Sequence, residues 1–246
     1  MITLEVACAN VDSVLAATDG GADRIELCAA LGVGGVTPSL GFVKEAKSIT
    51  HLPVFVMIRP REGDFLYNNH EKSLMLNDIS LCRDAGADGI VFGALDQFGN
   101  IDQSFCKEVL GQVGLMKVTF HRAFDLAKDP FESIKHLISL GIHRVLTSGQ
   151  QPSALQGASL IKELQMNFGS SIAIMAGAGV RSNNVQELLQ NTNVNEVHLS
   201  GKSLVASQMQ FRRNSLSMGA QGQDEYALEV TNLEQIRAMR LAIDAI

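Results

Sequence analysis

Eight short runs of apolar and β-branched residues recur along the 246-residue chain, at 2–6, 24–27, 54–58, 89–92, 117–120, 144–147, 172–175 and 196–199. Each is short for a helix and has the composition of a strand buried on both faces. Between them lie apolar residues at helical spacing: Val11, Val14, Leu15 and Thr18; Phe42, Val43 and Ala46; Met75, Ile79 and Cys82; Phe131, Ile134, Leu137 and Ile138; Val185, Leu188 and Leu189. Strand starts roughly 20 to 35 residues apart leave room for one crossover helix each, the connection that parallel strands require. A helix-ending glycine feeding a strand also recurs, in GADRIEL at 21–27, GADGIVF at 86–92 and GIHRVLT at 141–147, before the second, fourth and sixth strands. The expectation is an α/β fold: one (β/α)8 barrel of TIM type spanning residues 1–246, since such barrels commonly run to about 250 residues as one domain. The rival is an open doubly wound sheet, whose dinucleotide form carries GxGxxG in its first strand–helix turn. Residues 8–12 contain no glycine, so no nucleotide cofactor is expected.

Boundary chemistry supports the helices. Asp129, Pro130 and Glu132 supply an N-cap, a proline in the first turn and a capping-box carboxylate. After the eighth strand the pattern fails: 202–226 is polar, contains Arg212, Arg213 and the GAQGQ run at 219–223, and reads as a long loop of functional or mobile type. A last helix is expected from Thr231, with Glu234 completing a capping box and Leu233, Ile236, Met239 and Ile243 forming an apolar stripe.

Composition excludes several classes of function. The formal net charge is −6, whereas a nucleic-acid binder usually carries a basic face. No apolar run approaches the roughly 18 residues of a membrane span. The ACA triplet at 7–9 has no Lys or Arg before it and follows Glu5, so no export signal is read. Four cysteines without a CxxC pair suit reduced thiols in the cytoplasm rather than a disulfide scaffold, and no zinc-ligand spacing is present.

Barrel active sites lie at the C-terminal ends of the strands, and here those ends are rich in polar residues. They include Glu5 and Cys8, Glu26 and Cys28, Arg59 and Arg61, His121, Arg122 and Asp125, Thr147 and Ser148, the GAGVRSNN segment at 177–184, and His198, Ser200 and Gly201. Such charges can pair as a structural network, yet bulky apolar side chains normally fill a barrel. Glu5, Glu26, His121 and Asp125 are therefore the acid–base candidates, with Asp125 or a glutamate orienting His121. Gly177, Gly179 and Arg181 with Ser200 and Gly201 form the anion-site candidate after strands seven and eight. Arg59 and Arg61 are candidates to clamp a second polar end of the same ligand, and Arg122 is a further substrate- or anion-binding candidate. Cys8 and Cys28 end neighbouring strands about 4.8 Å apart, and thiolates, with Met57 nearby, are the soft ligands that select Cu(I). Buried cysteines also serve as small hydrophobes, the reading given to Cys82 and Cys106.

EVACAN at 5–10, RIELC at 24–28, GGVTPS at 34–39, MIRPRxGDFxY at 57–67, FHRAFD at 120–125, TSG at 147–149, GAGV at 177–180 and HLSG at 198–201 together resemble the CutC family. The resemblance implies a cytoplasmic (β/α)8 barrel that assembles as a homo-oligomer, in a family named for copper homeostasis. Its proposed copper-binding cysteines match Cys8 and Cys28, and leave Cys82 and Cys106 outside. The first expectation is a Cu(I)-binding copper homeostasis protein; the alternative is a barrel enzyme acting on a small anionic or phosphorylated metabolite. A third is a scaffold presenting its C-terminal loop to partner subunits. A copper ion or a small anion is the expected ligand, with no nucleic-acid or membrane partner.

Overall fold

The eight apolar runs become eight parallel strands hydrogen-bonded in sequence order, the eighth pairing back to the first. A computed structural model describes residues 2–213, 215–216, 218 and 224–246. In chain order the elements are β1 (Thr3–Cys8), α1 (Val11–Asp19), β2 (Arg24–Leu27), α2 (Leu40–Ile49), β3 (Val54–Met57), α3 (Asn69–Asp84), β4 (Gly89–Phe92), α4 (Gln103–Gln112), β5 (Lys117–Phe120), α5 (Pro130–Leu140), β6 (Arg144–Thr147), α6 (Ala158–Phe168), β7 (Ala173–Ala176), α7 (Val185–Thr192), β8 (Glu196–Leu199), β9 (Lys202–Ala206), β10 (Ala227–Thr231) and α8 (Leu233–Asp244). This is the (β/α)8 barrel that the alternation implies.

Side chains alternate across each strand, so the barrel has two distinct interiors. Leu4, Val6, Cys8, Ile25, Leu27, Val54, Val56, Ile90, Phe92, Val118 and Phe120 belong to one continuous apolar core with Val14, Val43, Met75, Ile79, Phe105 and Ile134 of the helices. The other face looks into the barrel, where a small separate cluster of Cys28, Phe55, Met57 and Val91 is joined by charged residues.

The helix-stopping glycines behave as their repeat implies. Gly21, Gly86 and Gly141 have φ of +90°, +82° and +80°, and Asn193 takes the same left-handed turn, at +58°, before β8. Asp129 caps α5, its carboxylate accepting from the backbone N–H groups of Phe131 and Glu132, while Glu132 turns outward to Lys135. Two helices lie outside the apolar patterns read from the sequence. α6 follows Gly157, which has no capping side chain, and α4 follows Asp102, whose carboxylate caps it by accepting from Phe105 N–H.

The C-terminal segment departs from expectation. Residues 202–206 are not loop: β9 pairs antiparallel with β10 as a two-stranded ribbon, with Val205 opposite Leu228 and Ser203 opposite Val230. The helix expected from Thr231 starts at Leu233, its cap falling one residue later than Thr231. Asn232 caps α8 by accepting from Gln235 N–H at 3.1 Å, Thr231 ends β10 with its N–H bonded to Ser13 Oγ, and Glu234 pairs with Arg237. Arg212 stacks over Tyr226; the GAQGQ run lies outside the described residues. Among the described residues, no helix is long and apolar enough to cross a membrane.

Candidate active site at the barrel mouth

The floor of the barrel is ionic. Glu5 of β1 is fully buried and accepts from the Nε of Arg24 on β2. A second nitrogen of Arg24 reaches Glu196 of β8 at 2.6 Å, and Arg144 of β6 binds the same carboxylate at 2.5 and 3.1 Å and Thr119 Oγ1 at 3.1 Å. Both guanidinium groups lie over the Phe55 ring, at 5.1 and 5.5 Å. Arg24, Arg144 and Glu196 were not among the sequence candidates. The period of two would have found them, since it places Arg24 with Glu26, Arg144 with Leu146 and Glu196 with His198 on the inward face.

Above this layer runs a carboxylate–imidazole–carboxylate line. Register sets Glu5 beside both Arg24 and His198, and Ala7 beside Glu26. Glu5 Oε1 bonds His198 Nδ1 at 2.8 Å, and His198 Nε2 faces Glu26 Oε2 at 3.8 Å. Burial alone would raise the Glu5 carboxyl, but Arg24 and the His198 hydrogen bond outweigh it and hold it well below the usual range. Glu5 stays ionised and fixes His198 with its proton on Nδ1. Glu26 goes the other way: burial, with Glu5 adding to it against His198 and Arg24, pushes it up to about 7. Burial opposes charge on His198, yet Glu26 and Glu5 together raise its pKa. Glu26 Oε1 is buried and has no hydrogen-bond partner among the described residues. Donor atoms of Glu5, Glu26 and His198 lie within 4.8 Å of one another. Both Glu5 oxygens are already engaged, by Arg24 and His198, which makes the trio a proton line rather than a cation cage.

Glu26 and His198 open onto a cavity of about 1010 Å³ at the C-terminal ends of the strands. His121 lines it opposite, on the loop after β5. Its Nδ1 accepts from Ala123 N–H at 3.1 Å, which leaves the proton on Nε2, and Nε2 is buried without a partner. Burial, with the charge of Arg59 adding, drives its pKa down to about 3, so the ring is neutral. Phe65 packs against it at 4.9 Å. Gly93 leaves it room: a Cβ there would fall 2.5 Å from His121 Nδ1. Neither Asp125 nor a glutamate orients it, contrary to expectation. Asp125 instead ties down the loop after β6, accepting from Thr147 Oγ1 at 2.5 Å, Ser148 Oγ at 2.9 Å and the Ser148 and Gln150 amides. Arg122 bridges Asp125 and Ser148 on the cavity wall.

Gly179, Arg181, Ser200 and Gly201 line the cavity, Gly179 and Gly201 with φ of +70° and +54°. The Arg181 guanidinium has no ion-pair partner among the described residues. Gly177 is not part of this rim; it is small because a Cβ would strike Leu146 at 2.6 Å and approach His198. Arg59 lines the cavity but spends two nitrogens on the carbonyls of Val33, Gly35 and Gly63, leaving a buried Nε without a partner. Arg61 does not reach the mouth: Glu71 at 2.6 Å, Asp64 at 3.0 Å and the Leu66 carbonyl hold it on the surface. A clamp of two arginines is therefore not assembled.

The two cysteines part company. Cys8 points out of the barrel into the main core, its thiol donating to the Ser13 carbonyl at 3.4 Å. Cys28 points inward against Phe55 and Met57. Both are buried and free, and burial pushes both thiols far up. Glu26, His121, Arg59, Arg181, Ser200 and Gly201 thus meet at one cavity, with Glu5 beneath it and Cys8 behind the sheet.

Comparison with known proteins matches the CutC family model over residues 2–203. The chain is 46% identical over 241 residues to the family protein CutC of Pasteurella multocida (strain Pm70), covering 98% of each. It is 45% identical over 237 residues to the copper homeostasis protein cutC homolog of Homo sapiens, covering 96% of this chain and 87% of that one. A solved CutC structure from Streptococcus agalactiae superposes with a TM-score of 0.77 at 35% identity, over 80% of this chain and 98% of that one. With a family match across most of its length and relatives near half-identical end to end, the chain belongs to the CutC family.

Proposed function

We propose that the chain is an enzyme acting by proton transfer on a small anionic metabolite bound at the barrel mouth. One observation carries this reading: Glu26, with an unpartnered buried oxygen, stands at the cavity wall while Glu5 and His198 behind it hold the opposite electrostatic state. Paired groups with divergent pKa values are the mark of acid–base work. The rim of Gly179, Arg181, Ser200 and Gly201 after β7 and β8 is the usual anion position in such barrels, and Arg181 supplies an uncommitted charge. Copper homeostasis, the role in the name of the Homo sapiens relative, comes to this chain through that reaction rather than through a thiolate carrier. Against a two-thiolate Cu(I) site stand the separate core clusters of Cys8 and Cys28 and the burial that favours both thiols in the protonated form. The buried free cysteines support a reducing compartment, the cytoplasm, and the exposed Leu204, Val205 and Leu228 of the ribbon support assembly with further copies. Fractionation and sedimentation check those two points.

Titration of the full chain with inorganic phosphate tests the anion site. Arg181→Ala is expected to weaken phosphate binding about tenfold, a lost charge-assisted contact, while Glu26→Gln leaves it within about twofold. No phosphate binding, or equal binding by Arg181→Ala, overturns the reading.

A further inference from the structure

Three residues that line the cavity each carry a buried polar atom without a hydrogen-bond partner among the described residues: Glu26 Oε1, His121 Nε2 and Arg59 Nε, with the Tyr67 hydroxyl beside Arg59. A buried polar group left without a partner is destabilising, and three at one cavity point to a ligand that completes them. Their chemistry is complementary. Glu26 presents an oxygen that takes or gives a proton. His121 presents an N–H, fixed there because Nδ1 accepts from Ala123 and because Gly93 and Phe65 hold the ring. Arg59 presents a second N–H on a guanidinium clamped to three carbonyls.

We propose that this is an enolising site: Glu26 is the base, the neutral His121 imidazole and Arg59 are the oxyanion donors, and the substrate is a phosphorylated α-hydroxy aldehyde or ketone. The inference rests on the reading of the mouth as an acid–base enzyme and names its substrate class. The Glu26 carboxylate takes the proton from the carbon beside the carbonyl. The C–H electron pair forms the C=C bond while the carbonyl π pair moves to oxygen, where the N–H groups of His121 and Arg59 receive it. Glu26 then returns its proton to the former carbonyl carbon while the hydroxyl proton passes to the former carbonyl oxygen, completing an aldehyde–ketone isomerisation with no oxidant, reductant or metal required. A neutral imidazole suits the donor role, as it does in other enolising barrels; burial and Arg59 keep it neutral. A Schiff-base route has no free amine at the rim, since Lys202 pairs with Glu229 at 2.6 Å. The charged or titratable groups around Glu26 are His198, Glu5 and Arg24, with the inward Cys28 thiol, and Cys8 across the sheet; His121 faces Arg59.

The test uses 2-phosphoglycolate, whose carboxylate imitates the enediolate, against inorganic phosphate on the full chain between about pH 6 and 9. The carboxylate must share a proton with Glu26, so above about pH 7 binding takes up one proton. Below about pH 7 2-phosphoglycolate is expected to bind at least about tenfold tighter than phosphate, and the advantage to fall about tenfold per pH unit above it. Glu26→Gln, a permanent donor, is expected to make the advantage independent of pH. His121→Ala is expected to abolish it with phosphate affinity unchanged. Nitrogen NMR of His121 is expected to show a neutral ring protonated on Nε2 throughout. Equal affinity for the two probes, a pH slope that persists in Glu26→Gln, or a charged His121 overturns the enolising site while leaving the anion site standing. Failure of phosphate itself to bind takes down the underlying reading as well.

Discussion

Glu26 concentrates the tension between stability and function in one side chain. A carboxyl whose pKa is higher folded than unfolded costs stability as pH rises above the unfolded value, and the full cost is reached above the folded one. Here those values are 4.5 and about 7. Glu26→Gln should therefore stabilise the fold at alkaline pH, by up to about 3 kcal/mol, and have little effect near pH 4.5. Urea unfolding of the two proteins at both pH values measures this, and an alkaline destabilisation would refute the raised pKa. The sequence placed Glu26 and His121 at strand ends correctly, because strand position follows from local pattern. It misassigned the partners of His121, because Asp125 sits four residues away along the chain yet turns to the loop after β6. Short separation in sequence implied a contact that the turn at Arg122–Leu126 prevents.

At the scale of elements, strand boundaries were legible and helix onsets less so. Strands carry their signal in several consecutive apolar residues, whereas a helix start depends on one capping side chain. Asp129 announced α5, but Gly157 gives α6 nothing to read. Asn232 shows how narrow the margin is: Thr231 and Glu234 match a capping box by type, and the ribbon claims Thr231 first. Asn232→Ala should cost about 1 kcal/mol and loosen α8, whose Ile236 packs within 2.6 Å of where side chains at Gly20 and Gly201 would begin. Chemical denaturation checks the stability; a neutral effect would mean that packing of Ile236 alone positions the helix. Since Gly201 belongs to the cavity rim, the cap of α8 also supports the anion site.

For the whole molecule, barrel closure has the largest consequences. Pairing of β8 with β1 brings Glu196 and His198 to Glu5 across more than 190 residues, and Arg144 arrives from the opposite half to share Glu196. The copper reading is tested at this scale too. An anaerobic Cu(I) titration against a competing chelator is expected to give the Cys8→Ser, Cys28→Ser double variant the affinity of the wild type. A tight one-to-one site that vanishes in the variant would instead establish a two-thiolate centre and require the barrel to rearrange. What the sequence determined by itself was local: where strands and helices fall, that the strands are parallel, and which polar residues sit at their C-terminal ends, because period, caps and turn glycines act over a few residues. Which side of the sheet each residue faces, and which partner waits there, was decided by tertiary structure. Strand register sends Cys8 outward and Cys28 inward although their strands are neighbours, and only the closed barrel makes an ion network of charges that the chain keeps far apart.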